Sequence, residues 1–71
     1  MAKKPTNPLR PEVGHRYRLR GGYLGGERIA DVIEIDSRRG LIYARDVLGL
    51  GEVFRWDRAM WRRDCVERIE R

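Results

Sequence analysis

Two runs dense in β-branched residues stand only four residues apart in this 71-residue chain. The first is Arg28-Ile29-Ala30-Asp31-Val32-Ile33-Glu34-Ile35-Asp36, the second Leu41-Ile42-Tyr43-Ala44-Arg45-Asp46-Val47. Branching at Cβ costs side-chain freedom in a helix and packs well on a pleated strand, so both runs read as strands. The link, Ser37-Arg38-Arg39-Gly40, follows an aspartate and ends in glycine, which is tight-turn chemistry. An antiparallel hairpin results. Its first strand changes phase, because Ala30 and Val32 fall on one side and Ile33 and Ile35 on the other. A bulge near Val32 restores a single buried face.

The rest of the chain supplies partners for that hairpin. Val13, His15, Tyr17 and Leu19 alternate with Arg16, Arg18 and Arg20, which predicts a strand over 15–20. Gly21-Gly22-Tyr23-Leu24-Gly25-Gly26 holds too much backbone freedom for a regular element and reads as a loop. Gly49 and Gly51 bracket a second turn into Glu52-Val53-Phe54-Arg55-Trp56. Asp57 is suited to cap a helical turn over Arg58–Arg63, and Cys65-Val66-Glu67-Arg68-Ile69 alternates as a closing strand. A rival reading is one amphipathic helix over 58–70, since Trp61, Cys65 and Ile69 are spaced four apart. Residues 1–12 contain all three prolines, with Lys3, Lys4 and Arg10, and are expected to be a flexible arm ahead of a folded domain at 13–71.

A chain this short buries only about 60% of its unfolded surface, which excludes a two-domain enzyme or a Rossmann sheet. With one cysteine, Cys65, and one histidine, His15, it forms no internal disulfide and no zinc site of Cys and His ligands. No apolar stretch approaches the roughly 20 residues needed to cross a bilayer, and no leader pattern opens the chain. A microbial cytoplasm is the expected compartment. A core of this size supplies about 3–5 kcal/mol of net stability, so self-association into a homo-oligomer would help.

Five short strands with one helical turn before the last predict an all-β fold, a small curled antiparallel barrel. The layout resembles an SH3-like barrel: Gly14-His15-Arg16-Tyr17-Arg18 as opening strand, Gly21–Gly26 as long first loop, and Asp57–Arg63 as the turn before Cys65–Ile69. Within that group the chain is similar in size and closing segment to the plasmid-borne type II dihydrofolate reductases. Where that family has Val-Gln-Ile-Tyr this chain has Gly40-Leu41-Ile42-Tyr43, so the activity is not carried over. It also resembles the DNA-binding carboxy-terminal barrel of retroviral integrases, whose paired basic stretch stands here as Arg62-Arg63. A third likeness is to small prophage-encoded proteins that combine an early Gly-x-Arg-Tyr with an Arg-rich ending. The integrase likeness implies nucleic-acid binding, and the prophage likeness a phage or bacterial source.

The residues themselves point to binding and away from catalysis. A general acid–base or nucleophilic site needs several titratable groups in reach of one another, and nothing brings His15, Cys65 and the lone Ser37 together. The glycine loop lacks the Lys-Ser/Thr of a phosphate-cradling P-loop. Neither a cofactor nor a metal is expected. The net charge is +5, with 16 basic residues against 11 acidic ones. Fourteen of the basic residues are arginine, which forks onto phosphate as lysine cannot. Arg16, Arg18 and Arg20 repeat every second residue, either as an anion-binding stripe or as a ladder neutralised by neighbouring carboxylates such as Glu34, Asp36 or Asp46. Arg38-Arg39 at a hairpin tip, Arg62-Arg63 near the last strand and Lys3 and Lys4 on the arm complete the candidate nucleic-acid face. The alternative is a protein-interaction module docking on a host protein through Tyr23, Leu24, Leu48, Leu50 and Trp61. Leu48 and Leu50 sit at a glycine-bracketed turn and either form an exposed patch or fold over the barrel end.

Overall fold

The computed structural model describes residues 10–20 and 26–69. It contains β1 (Arg16–Arg20), β2 (Glu27–Asp36), β3 (Leu41–Asp46), β4 (Val53–Asp57), the helix α1 (Arg58–Asp64) and β5 (Cys65–Ile69). All five strands belong to one antiparallel sheet in the order β4-β3-β2-β1-β5. The chain after Asp57 is thus a seven-residue helix and a strand, not a single helix over 58–70. No helix among the described residues is long and apolar enough to cross a membrane.

The helix joins the two edges of the sheet, which requires the sheet to bend. The seven residues of α1 run directly from the end of β4 to the start of β5, the two edges of the ladder. Asp57 to Cys65 along that helix is a rise of about 12 Å. Four steps across a flat sheet would put the same edges about 19 Å apart. Asp57 begins the helix where the sequence expects: its Oδ1 accepts from the Met60 N–H at 2.7 Å, a cap that contributes about 1 kcal/mol.

The phase change in β2 is resolved by a bulge. The register to β3 shifts between Val32 and Glu34, leaving Val32 buried and Ile33 40% exposed. Beyond the shift, Ile35 returns to the core side and packs against the buried cluster. That cluster is Tyr17, Leu19, Ala30, Val32, Ile42, Ala44, Trp56, Trp61 and Cys65. The Trp61 ring meets Tyr17 and Trp56 edge-on, with centroids 5.0 and 5.7 Å apart. Such pairs contribute about 0.5–1.5 kcal/mol beyond their burial.

At the front of β1 the strand begins at Arg16 rather than at 15. Gly14 has φ of +93°, a left-handed conformation that breaks the alternation, so Val13 is exposed instead of core-facing. Ordered contacts nevertheless extend upstream of Val13. The buried Tyr17 hydroxyl accepts from the Glu12 N–H at 3.0 Å and donates to the Arg10 carbonyl at 2.9 Å. Arg68 of β5 reaches the Glu12 carboxylate at 3.3 Å.

Candidate functional site

Cross-strand register decides which arginines stay available to a ligand. Arg16 of β1 lies opposite Asp31 of β2, and its guanidinium forks onto that carboxylate at 2.7 and 3.1 Å. Arg18 bridges carboxylates on both flanking strands, Glu67 at 2.8 Å and Glu27 at 2.7 Å. Hydrogen bonds to Asp31 and to Glu67 hold the Arg16 and Arg18 guanidiniums above their ordinary pKa. The stripe is therefore a neutralised ladder along most of its length, with Asp31, Glu27 and Glu67 as its acids in place of Glu34, Asp36 or Asp46. Of the three stripe arginines, only Arg20, at the exposed end of β1, has no carboxylate partner among the described residues.

The paired Arg62-Arg63 also divides. Neighbours on a helix point about 100° apart. Arg63 turns back onto Asp64, with Nε–Oδ1 at 2.8 Å, and that hydrogen bond raises its pKa. Arg62 points the other way and shares a helix face with Arg58, four residues earlier. Both line a cleft.

This cleft, about 580 Å³, lies between the β2–β3 turn, α1 and the Arg10–Pro11 segment. Ile35, Leu41, Ile42 and Trp61 give it an apolar floor, while Arg10, Arg58 and Arg62 stand around it with Asp36 and Ser37. None of the three arginines makes an ion pair among the described residues. The stem of Arg58 lies over the turn glycine: a Cβ on Gly40 would sit 3.8 Å from its Nε. Gly40 has φ of +69°, so the turn needs glycine here for its backbone as well.

The acids at this end are already committed. Asp36 Oδ1 accepts from the backbone N–H groups of Arg38 and Arg39, both at 3.2 Å, which is what makes the turn tight. Its Oδ2 lies 3.8 Å from Arg39 Nε, a long pair on a side chain 77% exposed. Asp57 caps the helix. Asp36, Leu41 and Asp57 form the last cross-strand row before the turn. Arg10, Arg58 and Arg62 thus line a cleft bordered by the Arg38-Arg39 turn, where the carboxylates of Asp36 and Asp57 are already occupied.

The other candidates separate as follows. Arg62 lines the cleft, and Arg38 and Arg39 stand on the turn that borders it without lining it; Arg16, Arg18 and Arg63 are held by acids. Lys3, Lys4, Tyr23 and Leu24 lie outside the described residues. Trp61, considered as an interaction residue, is instead 3% exposed and part of the core, because the three-ring stack with Tyr17 and Trp56 requires it. Leu48 and Leu50 are 70% and 95% exposed at the β3–β4 turn, where Asp46 Oδ1 accepts from the N–H groups of Leu48 and Gly49 and holds the loop outward. Burial pushes the Cys65 thiol up to about 11, so it is an inert core group. No group of three or more His, Cys, Asp or Glu side chains that could hold a metal occurs among the described residues.

Two members of the cleft, Arg10 and Arg58, were not singled out by the sequence. Arg58 had a readable signal, since it stands four residues before Arg62 in the predicted helical turn. Arg10 had none; its place depends on the hydroxyl of Tyr17. No protein-family model, curated protein or solved structure matches the chain.

Proposed function

We propose that the protein is a non-enzymatic SH3-like barrel that binds nucleic acid through the arginines at its β2–β3 and α1 end. The strand order and the helix between β4 and β5 support the barrel reading. The observation that carries the function is the contrast between two sets of arginines. Arg16, Arg18, Arg28, Arg63 and Arg68 are each spent on a carboxylate, whereas Arg10, Arg58 and Arg62 surround one cleft with no such partner among the described residues. Like charges held at one end repel within a Debye length of about 8 Å, and a polyanion relieves that repulsion. Arg38 and Arg39, on an exposed turn beside the cleft, extend the surface along a phosphate backbone.

Phosphate contacts position a chain without reading its sequence, so binding is weakly sequence-specific and sensitive to salt. A fluorescence-anisotropy titration with labelled oligonucleotides tests this. Three neutralised phosphates on a single strand give a loss of affinity of roughly twentyfold between about 50 and 200 mM salt. No binding at the lower salt, or binding indifferent to salt, rejects the reading.

The exposure of Leu48 and Leu50 favours a second reading, a protein-docking loop at the β3–β4 turn. The two surfaces are built from different elements, so variants of one leave the other intact.

A further inference from the structure

The cleft holds more than phosphate chemistry requires. Its rim is cationic, but its accessible floor is made by the half-buried Ile35 and Leu41, laid over the buried Ile42 and Trp61. A phosphate bound by the rim arginines would leave that floor facing water. An apolar peptide would cover the floor and leave three guanidiniums without counter-charge. A ligand that satisfies both is anionic at its ends and flat and apolar between them.

Resting on the nucleic-acid reading above, we infer that the cleft takes an unpaired nucleobase, with the flanking phosphates on Arg10, Arg58 and Arg62. A volume of about 580 Å³ falls within the range of small-molecule sites and is roomy for one nucleotide. The rim groups suit it as well. Guanidinium planes stack on bases and fork onto phosphates, and unstacked bases are available only in single strands, loops and ends. Ser37 stands at the same rim with a hydroxyl for the polar edge of a base. In a duplex the bases are already stacked and paired, so only the backbone reaches the rim and the floor stays empty. The protein is therefore a binder of single strands.

Three ligands of equal length separate this inference from the reading it rests on: an oligothymidylate, an abasic strand of the same phosphate count, and a duplex. Anisotropy at low salt is expected to give about tenfold tighter binding of oligothymidylate than of either other ligand, in line with the contribution of one seated base. In Leu41→Ala, which trims the floor, the preference for oligothymidylate over the abasic strand is expected to shrink. Equal affinity for all three ligands overturns the seated base and leaves phosphate binding standing. Absence of binding to all three overturns both. Should the Leu41 variant fail to fold, the three ligands on the unaltered protein still decide.

Discussion

The hydroxyl of Tyr17, buried beneath the sheet, donates to the carbonyl of Arg10 at 2.9 Å while accepting from the N–H of Glu12. Two hydrogen bonds from one core side chain thereby fasten the segment ahead of β1 and set Arg10 at the mouth of the cleft. The bond ties core packing to ligand binding, because the ring that stacks on Trp61 also carries the hydroxyl.

Tyr17→Phe keeps the ring and removes the anchor. Each bond contributes about 0.5–1.5 kcal/mol, so urea unfolding is expected to show a loss of about 1–2 kcal/mol. Oligonucleotide affinity falls with it as Arg10 swings free. Unchanged stability together with unchanged affinity would mean that the anchor holds nothing.

Charge reversal distinguishes the two sets of arginines. Arg58→Glu and Arg62→Glu are each expected to weaken oligonucleotide binding and to flatten its dependence on log salt by about 0.7 per lost phosphate contact. Arg16→Ala, which leaves the cleft untouched, is expected to bind as the unaltered protein does. Loss of binding in Arg16→Ala alone would return the site to the β1 stripe. Arg16 and Arg18 are partly exposed, and pairs of that kind contribute about 0–1 kcal/mol, so their removal costs little stability.

Leu48→Ser with Leu50→Ser is expected to leave the fold intact, because both side chains project into solvent. The unfolding free energy should stay within about 0.5 kcal/mol of the parent, and oligonucleotide binding should not change. A large drop in stability would show that these leucines pack somewhere in the folded protein. Selective loss of a protein partner would support the docking loop.

Alkaline stability follows from Cys65 and Tyr17. Burial raises the pKa of both, Cys65 from 9.0 to about 11, so the folded state favours their neutral, protonated forms. That contribution is complete below pH 9.0 and is lost as pH rises through about 11. The urea midpoint is expected to fall over that interval, and Cys65→Ala to soften the fall. An identical decline in the variant would remove Cys65 as its cause.

What the sequence made legible were the elements. Alternation located β1, the β-branched runs located β2 and β3, and the isolated Ile33 betrayed the bulge at Val32. Asp57 marked the helix start. What it hid was pairing between distant segments. Whether Arg16 faces Asp31 or some other acid depends on a register that a one-residue slip would reverse, and the same strand pattern suits either. Adjacency also misled. Arg62-Arg63 looks like one basic spot in a linear string, but helical geometry sends Arg62 to the cleft and Arg63 to Asp64. Trp61 fell between two readings because a short helix seals this small core, and a residue in a connecting turn is ordinarily exposed.

Backbone amide shift mapping by NMR addresses the site most directly. On titration with an oligothymidylate at low salt, the expected perturbations fall on Arg10 and on residues 36–41 and 58–62, with the indole N–H of Trp61 following. Perturbations confined to β1 or to the Leu48–Gly51 turn, with the cleft silent, would contradict the assignment of ligand binding to the unneutralised arginines.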